Sequence, residues 1–228
     1  MKDDVAIIIP AYNPNEKLKE IVEDLKRNKY TNIIVINDGS QNKEIFKKIE
    51  YQTIVLEQKQ NYGKGRALKK GIKYVLQHIK GIKGILTIDA DGQHKIEDIN
   101  KVYQAFQQNE NSLVLGTRNF NEKTVPFRSK LGNKIISYIL LKKYNKKLND
   151  TQTGLRAIPK RYFKEMIQIS GDRFDYEMYM ILHCIKNDIS MIEVPIESIY
   201  INKNKSSNYK IIKDSLKISK AVNCKKNR

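Results

Sequence analysis

Two carboxylates, Asp89 and Asp91, stand two residues apart at the end of a short apolar run, and Gly92 and the amide Gln93 follow them. At a strand-to-turn transition such a pair can turn both oxygens toward one cation, with Gln93 adding a neutral oxygen. Hard oxygen donors of this kind suit Mg²⁺ or Mn²⁺. A cation held there would bridge the phosphates of a nucleotide and neutralise the charge that develops as a diphosphate departs. Spacing excludes an EF-hand, which needs Gly sixth and Glu twelfth in its loop; here Gly92 is fourth and Asn100 twelfth.

Polar clusters close three more apolar runs: Pro10-Ala11-Tyr12-Asn13, Asn37-Asp38-Gly39-Ser40 and Gly116-Thr117-Arg118. One Asp-Gly turn would be ordinary, since both residues favour turns. Four polar strand ends are different, because an open parallel sheet binds its ligands outside the carboxyl ends of its strands. Asn61-Tyr62-Gly63-Lys64-Gly65 is not a Walker loop, since Gly65-Arg66 follows where Ser or Thr is required. It reads as a turn that sets Lys64 beside a nucleotide at a helix start, or as a plain helix N-terminus. A phosphatase of the haloacid dehalogenase type also carries Asp-x-Asp after a strand, normally with Thr where this chain has Gln93, and stays a minor alternative.

Residues 5–9, 33–36, 53–56, 85–88 and 113–115 read as the strands that would hold these clusters. The first two are almost wholly apolar, as parallel strands covered on both faces are. Apolar residues recur between them at helical spacing: Leu18, Ile21, Val22 and Leu25, then Leu68, Ile72, Val75, Leu76 and Ile79, then Ile96, Ile99, Val102, Tyr103 and Phe106. The alternation predicts one α/β domain with a mostly parallel central sheet flanked by helices. The second half is less regular, with an amphipathic stretch over 131–141, a helix over 176–186 and a strand over 191–194.

The 228 residues suffice for one such domain, and 40% hydrophobic side chains with 13 Tyr and 6 Phe exclude wholesale disorder. The longest apolar run, 135–141 with Ser137 inside it, falls far short of the ~20 residues that span a bilayer. The run 5–9 lacks the features of a secretory signal, so a cytoplasmic location is expected. Cys184 and Cys224 form no CxxC pair and, with three His, supply no standard zinc site. Lys+Arg 43 against Asp+Glu 25 gives a net charge of +18. The excess is clustered: residues 123–147 hold eight Lys/Arg and no acid, and 201–228 hold nine with the single acid Asp214. Such clusters favour anionic lipid, nucleic acid or phosphorylated substrates. With no zinc-finger spacing, aromatic RNA-binding cluster or recognition helix, a nucleic-acid-binding module is the remote alternative.

Taken in order, Pro10-Ala11-Tyr12-Asn13, Asn37-Asp38-Gly39-Ser40, Asn61-x-Gly63-Lys64-Gly65, Asp89-Ala90-Asp91-Gly92-Gln93-His94, Gly116-Thr117-Arg118 and Asp150-Thr151-Gln152-Thr153-Gly154 resemble the motif series of family 2 glycosyltransferases of the GT-A fold. Within that family the chain resembles polyprenyl-phosphate and dolichyl-phosphate sugar transferases. Ile192-Glu193-Val194-Pro195-Ile196-Glu197, with Ser206-Ser207 and Lys213-Asp214-Ser215-Leu216, resembles bacterial members. The likeness runs from residue 5 to about 216 and implies a GT-A domain over 1–218 followed by a basic tail over 219–228.

The resemblance implies metal-dependent, inverting transfer of a hexose from GDP-mannose or UDP-glucose to polyprenyl phosphate. The protein would sit peripherally at the inner face of the membrane, with room for a separate membrane-protein partner. It implies Pro10, Tyr12, Asn13, Glu16, Asp38, Lys64, Asp89 and Ala90 at the nucleotide sugar, and Asp89, Asp91 and Gln93 at Mg²⁺ or Mn²⁺. Arg118 and Arg128 would grip phosphates, which a guanidinium fork matches. Pro14 stands where the pattern often has Glu. A lipid phosphate is already anionic, so catalysis would rest on orientation and charge neutralisation, with Asp91 and Arg118 among the catalytic residues. Asp175 and Glu177 are the candidate acceptor-side carboxylates, although Asp175 suits a helix cap equally well. Leu131, Ile135, Ile136, Ile139 and Leu140 share a helical face flanked by Lys130, Lys134, Lys142 and Lys143. That face reads either as an interfacial helix on an anionic membrane or as a core helix with a lysine side. A family 2 enzyme acting on a saccharide is the other catalytic reading, and its neutral hydroxyl acceptor would need a carboxylate base.

Overall fold

Residues Val5 to Ile9 are each at most 1% exposed, because both faces of the strand they form are covered. In β1 (Lys2–Ala11) the side chains alternate: Ala6 and Ile8 enter one core, Val5, Ile7 and Ile9 the other. β2 (Tyr30–Asn37) repeats the pattern, with Ile34 and Ile36 on the first side and Ile33 and Val35 on the second. The computed structural model describes residues 1–120 and 127–197, with the side chains of 127–129 outside the description. The expected domain boundary at 218, the tail 219–228, and Ser206, Ser207 and Lys213 to Leu216 lie outside the described residues.

Each core is closed by helices, among them the three whose apolar stripes are evident in the sequence. Leu68, Ile72 and Val75 of α3 (Lys64–His78) fill the first core, with α6 (Phe163–Gln168) and α7 (Asp175–Lys186). α1 (Lys17–Arg27), the short α2 (Glu44–Lys47) and α4 (Ile96–Gln108) fill the second. Fully burying each Ile, Leu or Val contributes roughly 1.5–3 kcal/mol, so the two layers hold the sheet from both sides.

Among the described residues the sheet has seven strands, in the order β3-β2-β1-β4-β6-β5-β7. The remaining strands are β3 (Ile54–Glu57), β4 (Gly84–Thr87), β5 (Leu113–Arg118), β6 (Arg156–Pro159) and β7 (Met191–Ile196). All pair in parallel except β6, which runs antiparallel between β4 and β5. The chain winds outward from β1 through β2 to β3, then returns to place β4 on the other side of β1. That reversal opens a crevice at the carboxyl ends of β1 and β4, where ligands of such sheets bind. Ile8 pairs with Thr87, so Asp89 lies two residues beyond the last paired position, on the crevice rim.

The strand at β6 was not read from the sequence, for its four residues Arg-Ala-Ile-Pro include a charge and a proline. The stretch expected over 131–141 lies inside α5 (Phe127–Tyr144), but its single apolar face divides. Ile136 and Leu140 are buried, whereas Leu131, Ile135, Tyr138 and Leu141 are 48%, 50%, 60% and 41% exposed. No helix among the described residues is long and apolar enough to cross a membrane.

Candidate active site at the carboxyl rim of the sheet

Gly63 ends its loop at φ +104°, a conformation that costs glycine little, and α3 begins at the next residue. A Cβ on Gly63 would meet the Asp172 carbonyl at 2.5 Å, and one on Gly65 would meet the Tyr176 side chain at 2.5 Å. The two glycines therefore let the loop before α7 close onto the start of α3, where the Arg66 amide donates to the Asp172 carbonyl. Lys64 is thereby turned inward. Its Nζ lies 2.5 Å from Asp89 Oδ1 and 2.8 Å from Glu177 Oε1, with only 12% of the side chain exposed. Lys64 thus forms an internal bridge joining α3, the end of β4 and α7.

Burial disfavours charge on Lys64, but Asp89 and Glu177 outweigh it and hold the ammonium above its ordinary pKa. Burial works equally against ionised Asp89, and Lys64, then His94, pull its carboxyl well below the usual carboxylate range. His94 is buried with Nε2 3.4 Å from Asp89 Oδ2, an electrostatic contact rather than a hydrogen bond. On the other side, the Gly154 backbone packs so closely that a Cβ there would fall 2.2 Å from Asp89 Oδ2. Thr87 Oγ1 pins that loop by donating to the Gly154 carbonyl at 2.8 Å. Gly154→Ala should therefore push the Asp89 carboxylate off Lys64, costing roughly 1–3 kcal/mol as overpacking does. Thermal unfolding measures the loss, and an unchanged midpoint would show that the contact is slack.

Asp91 is different: the residue is exposed at the rim, and its Oδ1 accepts the Gln93 amide at 3.1 Å across the turn made by Gly92 at φ +78°. Crowding by strand-end atoms desolvates its carboxylate and, with the negative charge of Asp89 next in importance, raises its pKa. A carboxylate in a negative field is one that a cation relieves. Among the described residues no three His, Cys, Asp or Glu side chains form a group able to hold a metal ion, so the rim has no all-protein cage. It fits a cation of the Mg²⁺ type, bound through one or two carboxylates and completed by substrate phosphates and water. Asp91 would be the principal ligand, because Asp89 is committed to Lys64.

The loops after β1 and β2 are latched to each other. Asn13, at φ +47°, a region Asn tolerates, donates its amide to Ser40 Oγ at 2.8 Å and accepts the Gln41 amide on Oδ1 at 3.0 Å. Asp38 is buried and accepts the amides of Tyr62 and Gly63, each at 2.8 Å, and the Gln58 side chain at 2.7 Å. Burial raises its pKa despite the two backbone donors. Asp38 thus braces the loop that delivers Lys64. Tyr12 presents a 41% exposed ring beside this latch, with half-buried Pro10 in the strand below and Ala90 between the two aspartates. Glu16 turns away, its Oε1 on Lys48 Nζ at 2.5 Å, at the start of α1.

Arg118, at the end of β5, lies in a two-pronged pair with the fully buried Asp150: Nε to Oδ2 at 2.6 Å and Nη2 to Oδ1 at 3.0 Å. Arg128 falls in α5, with its side chain outside the described residues. Asp175 is the first residue of α7, and its Oδ1 accepts the Arg173 amide at 3.0 Å in the turn before the helix, so it makes no capping hydrogen bond to the helix itself. Arg156 was missed from the sequence. It is fully buried in β6, donating from Nε to the Thr153 carbonyl at 2.9 Å and from Nη1 to the Glu177 carbonyl at 2.6 Å. Its place two residues beyond Gly154 was the available signal. The structure thus gathers Lys64, Asp89, Asp91, His94 and Glu177 in one cluster and holds Arg118 beside it on Asp150, while Glu16 stands apart.

The family profile described as Glycosyl transferase family 2 matches residues 6–167. An uncharacterised protein of Methanocaldococcus jannaschii is 32% identical over 217 residues, covering 92% of this chain and 88% of its own. A UDP-N-acetylglucosamine–dolichyl-phosphate N-acetylglucosaminyltransferase of Methanococcus voltae is likewise 32% identical over 217 residues, covering 86% of each chain. Among solved structures, glucosyl-3-phosphoglycerate synthase of Mycobacterium tuberculosis, in complex with Mn²⁺, UDP and glucosyl-3-phosphoglycerate, superposes with a TM-score of 0.71. It covers 97% of this chain and 80% of the other at 12% identity, a likeness of fold, the GT-A fold.

Proposed function

The chain belongs to glycosyl transferase family 2 and is a glycosyltransferase, and from that premise we propose that it moves a sugar from a nucleotide donor to a polyprenyl phosphate at the cytoplasmic face of a membrane. One observation carries the choice of acceptor. Both carboxylates near the acceptor side are committed, Glu177 to Lys64 and Asp175 Oδ1 to the Arg173 amide. That arrangement suits an acceptor that brings its own negative charge and needs no base. The Methanococcus voltae relative, named for a dolichyl-phosphate acceptor and a UDP-sugar donor, supports the same reading.

In the reaction a phosphate oxygen of the lipid forms a bond to the anomeric carbon as the bond from that carbon to the nucleoside diphosphate breaks on the opposite face, inverting the centre. No proton has to move. Tyr12 offers its ring to the base, and the Asn13–Ser40 latch fixes the loops around the nucleoside. Asp89 is kept ionised and immobile by Lys64, so the Asp91 carboxylate is presented in one orientation to the diphosphate. Mg²⁺ or Mn²⁺ held by Asp91 and the diphosphate oxygens, with Gln93 nearby, would supply neutralisation of the leaving group. GDP-mannose, UDP-glucose and UDP-N-acetylglucosamine are the donors to try.

The test is release of nucleoside diphosphate from a panel of UDP- and GDP-sugars with Mg²⁺ or Mn²⁺, with and without a short-chain polyprenyl phosphate. Release that requires the lipid phosphate and one donor supports the proposal; stimulation by a saccharide instead would transfer it to the saccharide-acceptor reading. Because the phosphate acceptor needs no base, Asp175→Asn should keep turnover within about tenfold of the parent, whereas loss of general-base catalysis would cost about 10²–10⁴-fold.

A further inference from the structure

We infer that Arg156 is a positioning residue for sugar transfer: its buried guanidinium fork spans two backbone carbonyls and sets the gap between the loop that abuts Asp89 and the first turn of α7, which carries Glu177. The catalytic meaning of that gap rests on the proposed role of Asp91 at the diphosphate; the gap itself does not. Arg156 is the first residue of β6 and pairs with Thr87 at the end of β4, so it enters the sheet directly beneath the rim. Its side chain shares a face with Ile158, two positions on in the first core, and is 0% exposed.

Stability alone does not select an arginine at this place. A guanidinium taken out of water is costly unless a carboxylate pairs with it, and an apolar side chain of similar volume would fill the space at less cost. The two acids whose charge reaches Arg156 are engaged elsewhere, Glu177 with Lys64 and Asp150 with Arg118. Burial accordingly lowers its pKa against the pull of Glu177 and then Asp150, and its Nη2 has no hydrogen-bond partner among the described residues. What the fork alone supplies is a simultaneous hold on two segments of chain.

Nε holds the Thr153 carbonyl at 2.9 Å and Nη1 the Glu177 carbonyl at 2.6 Å. The next carbonyl along the loop, that of Gly154, is held by Thr87 Oγ1, and Gly154 lies against Asp89 with no room for a Cβ between them. At the far end, the Glu177 side chain reaches Lys64 from the same turn whose carbonyl Arg156 holds. The two carboxylates that share Lys64 are thus hung from one planar group. Releasing the fork lets the loop and α7 part, so that Lys64 can follow only one of its partners and Asp89 turns. Asp91, two residues along, then leaves its place at the diphosphate, and a misplacement of about 1 Å can cost about 10²-fold in rate.

Arg156→Met, Arg156→Gln and Arg156→Lys test this in the full chain, with turnover of a short-chain polyprenyl phosphate counted per nucleotide-binding site. The methionine variant should lose about 10²-fold in kcat, while metal-free binding of the nucleoside diphosphate, which rests on the loops after β1 and β2, stays parental. Arg156→Lys keeps the charge without the fork and should fall as far; parental turnover by it would overturn the proposal in favour of charge alone. Arg156→Gln, with a donor for one carbonyl and no charge, should lie between, and serves if the methionine variant does not fold. Nitrogen NMR of the lysine ammonium groups gives a readout free of turnover. The buried Lys64 ammonium should exchange slowly with water in the parent, and that protected signal should shift or vanish in the methionine and lysine variants. Lower unfolding midpoints with parental kcat per site and a parental Lys64 signal would reduce Arg156 to a structural residue and overturn the proposal, as would failure of every variant to fold. If the parent itself turns over no lipid phosphate, the acceptor reading falls, and the Lys64 signal still decides whether Arg156 sets the gap.

Discussion

Asp91→Asn should lower sugar transfer by about 10²–10³-fold, the range seen when one preorganised charge-stabilising group is removed, while leaving the fold intact. Asp91 carries no salt bridge among the described residues, so its loss exposes no buried counter-charge. Its pKa is raised by desolvation and by Asp89, which means the folded state pays for keeping it ionised at neutral pH. Replacing it by an amide should therefore leave the unfolding midpoint equal or slightly higher. The same shift fixes a pH limb: with Asp91 as the proposed metal and diphosphate ligand, activity should fall on acidification at a higher pH than an ordinary aspartate, near 3.9, would dictate. The variant should lack that limb. Nucleoside diphosphate release across pH, with Mn²⁺ binding followed by electron paramagnetic resonance, reads both effects. Activity above a tenth of the parent with unchanged Mn²⁺ affinity would remove Asp91 from the centre of the site.

Asp91 is legible as a candidate by position: a polar cluster at the end of a strand is fixed by local pattern, and the first five strands declare themselves through short runs rich in Ile, Val and Leu. Observed β1 to β5 each overlap the runs expected from the sequence, as do α7 and β7. What was not legible depends on contacts remote in sequence. β6 pairs with β4 and β5 while Arg156 within it reaches the Glu177 carbonyl in the interior, and no run of four residues announces that. A Gly-Lys-Gly turn marks Lys64 as a candidate beside a phosphate but says nothing of its ion pairs, which reach 25 and 113 positions further along to Asp89 and Glu177. The face of α5 failed for a third reason. Periodicity locates an apolar stripe, but cannot say which of two adjacent stripes the sheet will cover when both exist.

Lys64→Met, of similar length and no charge, should cost about 3–5 kcal/mol, the usual result of stripping one partner from a buried ion pair, or roughly 6–20 °C in midpoint for a chain of this size. The pH dependence makes the prediction sharp. In the parent, Lys64 titrates above and Asp89 below its ordinary pKa. The lysine's contribution is complete below about pH 10.5 and is lost as pH rises through its folded pKa; the aspartate's is present above about pH 4 and is lost as pH falls through its own. Between those limits the bridge stabilises evenly. Without Lys64, Asp89 and Glu177 lose the cation between them and Asp89 is left with His94; the two carboxylates should then take up protons more readily folded than unfolded and reverse the slope: the variant should be more stable at pH 5 than at pH 8. Denaturant titrations at the two pH values decide it, and a parallel loss at both would mean that the lysine stem, not its charge, was at work. Adding Glu177→Gln to Lys64→Met should recover part of the stability by removing one stranded charge. Glu177→Gln alone, leaving Lys64 on Asp89, should cost far less turnover than loss of a general base would. Glu177 then acts in this site as the far anchor of the bridge, and the acceptor phosphate meets no proton acceptor because it has none to give.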